Sequence, residues 1–113
     1  MIPANLPLVA YRGTTFGLVI KAQDSMHAIV PLTGWTAFAQ VRPAPQKHIV
    51  IDLNPIITNA AQGEVTISFT DEETALWAPG EFVWDFLLQR PTGEKLGPFL
   101  AGTFSIKTAA TRV

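Results

Sequence analysis

The stretch that decides the fold is Glu64-Val65-Thr66-Ile67-Ser68-Phe69-Thr70, which alternates strictly between polar and apolar residues. Successive side chains of a β-strand point to opposite faces, so Val65, Ile67 and Phe69 share one side and the four polar residues share the other. The segment therefore predicts a strand that buries one face in a core and leaves the other in water.

The same period of two recurs outward from this stretch in both directions. Further strands are predicted over residues 15–22, 35–42, 48–54, 82–88 and 104–106, and turn-forming residues separate them. Pro91 to Lys95 is predicted to close a hairpin in which Gly93 takes a positive φ. The pattern predicts a sandwich of about seven strands. We predict a single domain over residues 1–113. Its two ends, residues 1–5 and 108–113, are predicted to be flexible arms.

One short helical turn is predicted near residues 71–77. Thr70 and Glu73 fit a capping box, in which the Thr70 hydroxyl accepts from the Glu73 amide and the Glu73 carboxylate reaches back to the Thr70 amide. The same box could also cap a simple turn. Ala75, Leu76 and Trp77 are expected to point inward from this turn.

The composition excludes several classes of function. Lys and Arg total 8 against 9 Asp and Glu, and the basic residues do not cluster, so nucleic-acid binding is not expected. No apolar run approaches the roughly 20 residues that span a bilayer, and the first residues do not resemble a signal peptide. We therefore expect no membrane partner, and production in a cytoplasm. Charged residues make up only 15% of the chain and hydrophobic residues 48%. Either a small dense core or a surface partly covered by partners would explain this composition.

No arrangement of residues predicts catalysis or a cofactor. His27 and His48 have no ligand partners at metal-binding spacing, and the chain has no cysteine. The three serines, Ser25, Ser68 and Ser105, lack a nucleophile-elbow signature. The cap already explains the acidic run 71–73. We expect no enzyme, no cofactor and no bound metal.

Asp85 lies between Trp84 and Phe86 on a strand that is otherwise apolar on both sides. An ion pair with Arg42 or Arg90 on a neighbouring strand would account for it better than a catalytic role.

The three tryptophans have two interpretations. Trp35 and Trp84 fall on inferred core faces and Trp77 follows the helical turn, so core packing is favoured. An exposed tryptophan could instead stack on a sugar ring, which leaves glycan or ligand binding as the alternative function.

Several large apolar residues alternate away from the inferred core. A small domain that exposed all of them would be adhesive unless something covered them. We therefore predict a subunit interface on one sheet face or along the strand Phe82 to Arg90. The residues assigned to this interface are Val19, Phe38, Val83, Leu87 and Phe99.

The order of motifs along almost the whole chain resembles a known family. The segments that carry the resemblance are Arg12 to Phe16, Leu32 to Thr36, Ala39 to Arg42, Gly63 to Phe69, Asp71 to Leu76, Pro79 to Phe86, Gly102 to Ile106 and the pair Thr111-Arg112. In this order they resemble small tailed-phage and prophage virion proteins with an immunoglobulin-like fold, including the N-terminal domain of baseplate upper proteins. Each motif alone is weak and mostly encodes turns and core.

The resemblance implies an immunoglobulin-like antiparallel β-sandwich with a structural role in a tail, baseplate, fibre or capsid decoration. It further implies a multimer that contacts other virion proteins, and a location in the virion after synthesis in the host cytoplasm. Two departures matter. Phe82 stands where the pattern commonly has tyrosine, which removes the hydroxyl of a tyrosine corner. The given sequence shows no coiled-coil or receptor-binding pattern after the sandwich, so we expect an adaptor or decoration role in preference to receptor recognition.

Overall fold

The computed structural model describes residues 4–23, 26, 28–43 and 51–108. Within them the strands are β1 Ala4–Asn5, β2 Leu8–Arg12, β3 Phe16–Lys21, β4 Thr36–Arg42, β5 Ile51–Asp52, β6 Ile56–Asn59, β7 Glu64–Phe69, β8 Gly80–Gln89 and β9 Lys95–Thr108. A 3₁₀ turn at Ala60–Gln62 joins β6 to β7, and the helix α1 Asp71–Thr74 joins β7 to β8.

The strands form two sheets. The large sheet has the order β1-β9-β8-β4-β5, with β2 also paired to β9, and the small sheet has the order β3-β7-β6. The orders β9-β8-β4 and β3-β7-β6 correspond to the G-F-C and B-E-D strands of an immunoglobulin domain. The predicted all-β, immunoglobulin-like sandwich is therefore confirmed. Both β1 and β2 pair with β9 in parallel, while the other strand pairs are antiparallel.

The core lies between the two sheets and follows the alternation of the sequence. Val65 and Ile67 of β7 are fully buried, as the opening stretch predicts. Phe69 is half-buried and packs edge-on against Trp77, with ring centroids 5.0 Å apart. Phe104 is also fully buried and lies 5.6 Å from the ring of Phe16. These rings close the end of the core next to α1.

The structure corrects the predicted boundaries at several points. Ala4–Asn5, predicted to belong to a flexible arm, is a strand of the large sheet. β2 and β6 were not predicted, because their alternation is short and partly exposed. Residues 48–50 and 109–113 lie outside the described residues, and Thr108 ends β9.

The capping box is confirmed. Thr70 Oγ1 accepts from the Glu73 amide at 3.2 Å, and Glu73 Oε1 accepts from the Thr70 amide at 2.8 Å. The expected inward direction of Ala75 and Leu76 is wrong, since Ala75 is exposed and Leu76 is 87% exposed, whereas Trp77 is buried. Successive residues of a helical turn are about 100° apart, so three in a row cannot all face the core.

The predicted hairpin between β8 and β9 is confirmed. The Arg90 amide donates to the Glu94 carbonyl and the Gly93 amide to the Arg90 carbonyl, both at 2.8 Å. Gly93 has a φ of 95°. Beyond the turn the register between β8 and β9 shifts. Leu88 pairs with Leu96 and Phe86 with Leu100, so two steps along β8 correspond to four steps along β9. Leu87 therefore faces residues 97–99, which form a bulge in β9.

Candidate assembly surfaces

The predicted interface residues lie in three separate places, two on outer sheet faces and one against the core. Phe38, Val83 and Leu87 point outward from the large sheet and are half-buried. Val19 points outward from the small sheet and is 56% exposed. Phe99 packs against the hydrophobic core. One continuous interface through all five residues is therefore excluded by their positions.

The placement of Phe99 corrects the expectation that it faces outward. Strict alternation back from Phe104 assigns odd-numbered residues of β9 to the outer face. The bulge at residues 97–99 interrupts that alternation, so both Phe99 and its neighbour Leu100 pack on the core side. A bulge of this kind changes which face a side chain occupies, and no local alternation reveals it.

The outer side chains of β4 and β8 form a compact patch, which we call the β4–β8 face. It consists of three cross-strand pairs: Phe38 with Leu87, Gln40 with Asp85, and Arg42 with Val83. All six side chains are half-buried. Directly opposed side chains on one face of an antiparallel pair interact with each other, so the six form one surface.

Asp85 lies at the centre of the β4–β8 face. Partial burial raises the pKa of its carboxyl group, and the positive charge of Arg42 opposes that rise. Arg42 also donates from Nη2 to Gln40 Oε1 at 2.7 Å. The sequence left Arg42 and Arg90 open as charge partners. Arg90 is excluded, because it pairs with Glu94 at 3.5 Å and lies over the Trp35 ring.

Two shallow depressions flank Asp85. One, of about 160 Å³, is bounded by Phe38, Leu87 and Lys95, whose ammonium lies 5.4 Å from the Phe38 ring centroid. The other, of about 340 Å³, is bounded by Arg42, Val83 and residues of β9. Gln40 and Asp85 line both depressions. The face therefore has relief that a complementary surface could fill.

A third cavity, of about 350 Å³, opens between the two sheets rather than on a face. Its walls come from both sheets and are almost wholly apolar. Lys21 is its single charged lining residue, and the apolar ones are Ile20, Ala22, Val30, Trp35, Val65, Phe86, Leu88, Leu96, Phe99 and Leu100.

The tryptophans do not form an exposed stacking platform. Trp84 is 3% exposed and donates from Nε1 to the Leu6 carbonyl at 2.9 Å. Trp77 is 9% exposed, and Trp35 is half-buried and packs against the core. Core packing, which the sequence favoured, is the role that all three have.

The other polar residues considered in the sequence are only partly within the described residues, and those that are described do not assemble into a site. His27, His48 and Ser25 lie outside the described residues. Ser68 is exposed on β7, and Ser105 donates to a Glu81 carboxylate oxygen on the neighbouring strand. In residues 4–23, 26, 28–43 and 51–108, no three His, Asp or Glu side chains come together as a metal site would require. Nor does this part of the chain contain a helix long and apolar enough to cross a membrane.

Sequence reasoning missed the cavity between the sheets and the outer edge of β3, with which no strand of the described residues pairs. Alternation identifies the face on which a side chain lies, but it does not identify which strand lies beside which. The nearest signal is that β3 has neither proline nor an inward charge, the usual protections of an edge strand.

Comparison with known proteins yields structural neighbours alone. No family model and no curated protein sequence matches the chain. CopC from Methylosinus trichosporium OB3b is 11% identical with a TM-score of 0.49, over 97% of this chain and 90% of that one. A structure from work on multimeric cell-adhesive interactions of VGSC beta subunits is 8% identical with a TM-score of 0.46, over 95% of this chain and 93% of that one.

Proposed function

We propose that this chain is a non-enzymatic structural component of a phage or prophage particle and acts by assembling with other proteins through the β4–β8 face. The role in a tail, baseplate, fibre adaptor or capsid decoration follows from the resemblance of its motifs. The observation that carries the assembly role is the β4–β8 face itself, where Phe38, Val83 and Leu87 surround Asp85.

The chemistry of this face suits a protein partner. Protein interfaces are enriched in aromatic and other large apolar residues, and Phe38, Val83 and Leu87 supply such residues around Asp85 and Arg42. The two depressions beside Asp85 give the patch a shape that side chains of a partner could enter.

Asp85 sets a condition on the partner. Burial already raises the pKa of its carboxyl group in the isolated chain, and a covering partner would desolvate it further. A carboxylate buried without hydrogen bonds or a charge partner is costly, so we expect the covering protein to present a donor or a cation opposite Asp85. This requirement favours a specific partner over general adhesion.

Glycan binding has less support from the described residues. It depended on an exposed tryptophan, and Trp77 and Trp84 are buried.

The test is incorporation into particles. The gene for this chain is deleted from its phage or prophage and supplied in trans as wild type or as Leu87→Lys, and particles are purified on a density gradient. A lysine at position 87 would replace an apolar contact of the interface with a charged side chain that must lose its water, so we expect wild type to enter particles and Leu87→Lys to be lost.

Leu76→Lys is the matched control, since it makes the same chemical change at a leucine that is 87% exposed and is not part of the β4–β8 face. It should be incorporated like wild type. Wild-type chain that does not enter particles, or particles that incorporate Leu87→Lys fully, would contradict the proposal.

A further inference from the structure

As far as the described residues show, the small sheet ends at β3, whose outer edge has no strand beside it. β3 runs over Phe16–Lys21 and pairs with β7 in an uninterrupted antiparallel register. In the described part of the chain no strand pairs with its other edge, because β1 and β2 both join β9 of the large sheet. An edge of this kind presents a row of unpaired backbone donors and acceptors.

The backbone geometry identifies which groups face outward. The Ala22 amide donates to the Gly63 carbonyl at 2.8 Å, which continues the Lys21–Glu64 register by one residue. Because hydrogen-bonding direction alternates along a strand, even-numbered residues of β3 bond to β7 and odd-numbered ones point away. The amides and carbonyls of Gly17, Val19 and Lys21 therefore face the open edge.

The other edges of the two sheets are shorter or interrupted. β5 has 2 residues, and β6 has 4 with a register shift between Ile57 and Asn59. β2 has 5 residues, and its last, Arg12, donates to the Ala75 carbonyl at the end of α1. β3 has 6 residues, with neither a proline nor a register shift. It is the most regular of the described edges.

The cavity between the sheets adjoins this edge. Ile20 and Ala22 form one wall, and Leu96 and Phe99 of β9 form another. No described strand pairs with the outer edge of β9 before Leu100. The inward residues Phe16, Leu18 and Ile20 are half-buried, not buried. A strand laid against β3 would thus find backbone partners at the edge and an apolar space inside it.

We infer that β3 is a self-association site, at which β3 of a second copy pairs with it antiparallel about a two-fold axis at Val19. In this register Val19 lies opposite Val19, and Gly17 lies opposite Lys21 of the second copy. All the outward groups of the three odd-numbered residues are then satisfied, in about six backbone hydrogen bonds. The result is a small sheet of twice the width.

Side chains select this arrangement. Leu18 comes opposite Ile20 of the second copy on the inward face, so the second copy brings apolar groups to the cavity opening. The two Lys21 side chains lie at opposite ends of the pair. Each crosses Gly17, beside which a Cβ atom would meet nothing within 4 Å. No like charges are opposed.

An axis at Leu18 is the nearest alternative. It would pair Gly17 with Val19 of the second copy and leave Lys21 beyond the regular pairing, which gives about four bonds instead of about six. The axis at Val19 therefore satisfies more of the edge.

The β3 edge is distinct from the β4–β8 face, so each proposal can be tested independently of the other. β3 belongs to the small sheet and the β4–β8 face to the large one. A chain with both surfaces could pair with a copy of itself and still bind a different protein. Loss of the β3 contact would change the oligomeric state without removing the β4–β8 face.

The test is a charge exchange at Val19, read by light scattering after size exclusion. Val19→Lys and Val19→Glu each place two like charges on the axis, and each should weaken the dimer by roughly tenfold or more. Mixing the two variants places opposite charges there and should restore the dimer. Ile56→Lys, on the outer strand β6 and 64% exposed in wild type, should dimerise normally.

Crosslinking gives a second readout in this cysteine-free chain. With a short bis-maleimide, Val19→Cys should crosslink to a dimer, since the paired Cα atoms would be about 5.5 Å apart. Ile56→Cys should not, since five strand spacings, about 24 Å, would separate the two sites. A wild-type monomer at all accessible concentrations, or a dimer unaffected by both charged variants, would overturn the inference. A mixture of Val19→Lys and Val19→Glu that does not form the dimer would also overturn the inference.

Discussion

Trp84 and Leu6 are joined across 78 positions of sequence by a hydrogen bond from the indole Nε1 to the Leu6 carbonyl, 2.9 Å long. Leu6 lies between β1 and β2, and its amide donates to the Ala101 carbonyl on β9 at 2.9 Å. The N-terminal strands are thereby fixed to the middle of the large sheet. This is the reason that residues expected to be an arm belong to the fold.

Gly102 permits that approach, and Gly102→Ala should disrupt it. A Cβ atom at Gly102 would lie 2.7 Å from the Leu6 carbonyl oxygen and 2.9 Å from its carbonyl carbon, both backbone atoms. The N-terminal strands must shift, and we expect a loss of about 1–3 kcal/mol in the free energy of unfolding. Urea denaturation followed by tryptophan fluorescence measures it. Gly17→Ala, also within a strand but with open space at its Cβ position, should change stability far less.

Thr74 connects α1 to the turn between β2 and β3, and Thr74→Val should loosen that connection. Its buried hydroxyl donates to the Thr14 carbonyl at 2.7 Å and accepts from the Gly13 amide at 3.1 Å. Valine keeps the shape but leaves both backbone groups without this partner, so we expect a cost of about 1–3 kcal/mol. Thermal unfolding provides the measurement. Thr103→Val, at an exposed position of β9, should be nearly neutral.

The cap at the start of α1 should contribute less. Thr70→Ala removes the hydroxyl that accepts from the Glu73 amide in an exposed turn, and N-cap losses of this kind cost about 1 kcal/mol. A loss in chemical denaturation equal to that of Thr74→Val would mean that the cap also fixes tertiary structure.

The local sequence predicts which side chains of a strand face the core. Long-range pairing between strands determines the bulge in β9 and the position of β3 at the edge of its sheet. Val65 and Ile67 are buried as their alternation predicts, and the Thr70–Glu73 cap forms because its geometry is local. Phe99 lies on the core side because of a bulge that depends on how β9 pairs with β8. The open edge of β3 depends on β1 and β2 joining the other sheet. The alternation of side chains along either strand records neither choice.

Phe104 should be more sensitive to truncation than Phe16, although both belong to the same aromatic cluster. Phe104 is 0% exposed, whereas Phe16 is half-buried at the sheet edge. A cavity at a site that cannot collapse is costly, so Phe104→Ala should lose about 3–5 kcal/mol, a large part of the stability of a small domain. Phe16→Ala should lose less. Equal losses in urea denaturation would indicate that Phe16 is covered, as it would be in a stable β3 dimer.

Asp85 should make the isolated chain less stable as the pH rises. Burial raises the pKa of this carboxyl group in the folded state above its value in the unfolded chain, against the opposing charge of Arg42. Between the unfolded pKa, about 3.9, and the raised folded pKa, the native state holds more protons than the unfolded state. Stability contributed by protonated Asp85 is therefore present at low pH and is lost as the pH rises through that window.

Asp85→Asn removes the charge, so it should raise the melting temperature relative to wild type at pH 7 and have a smaller effect at pH 3. Glu72→Gln, at an exposed position of α1, controls for the general effect of losing one negative charge. A larger benefit of Asp85→Asn at pH 3 than at pH 7 would show that the Arg42 attraction outweighs the burial of the carboxylate.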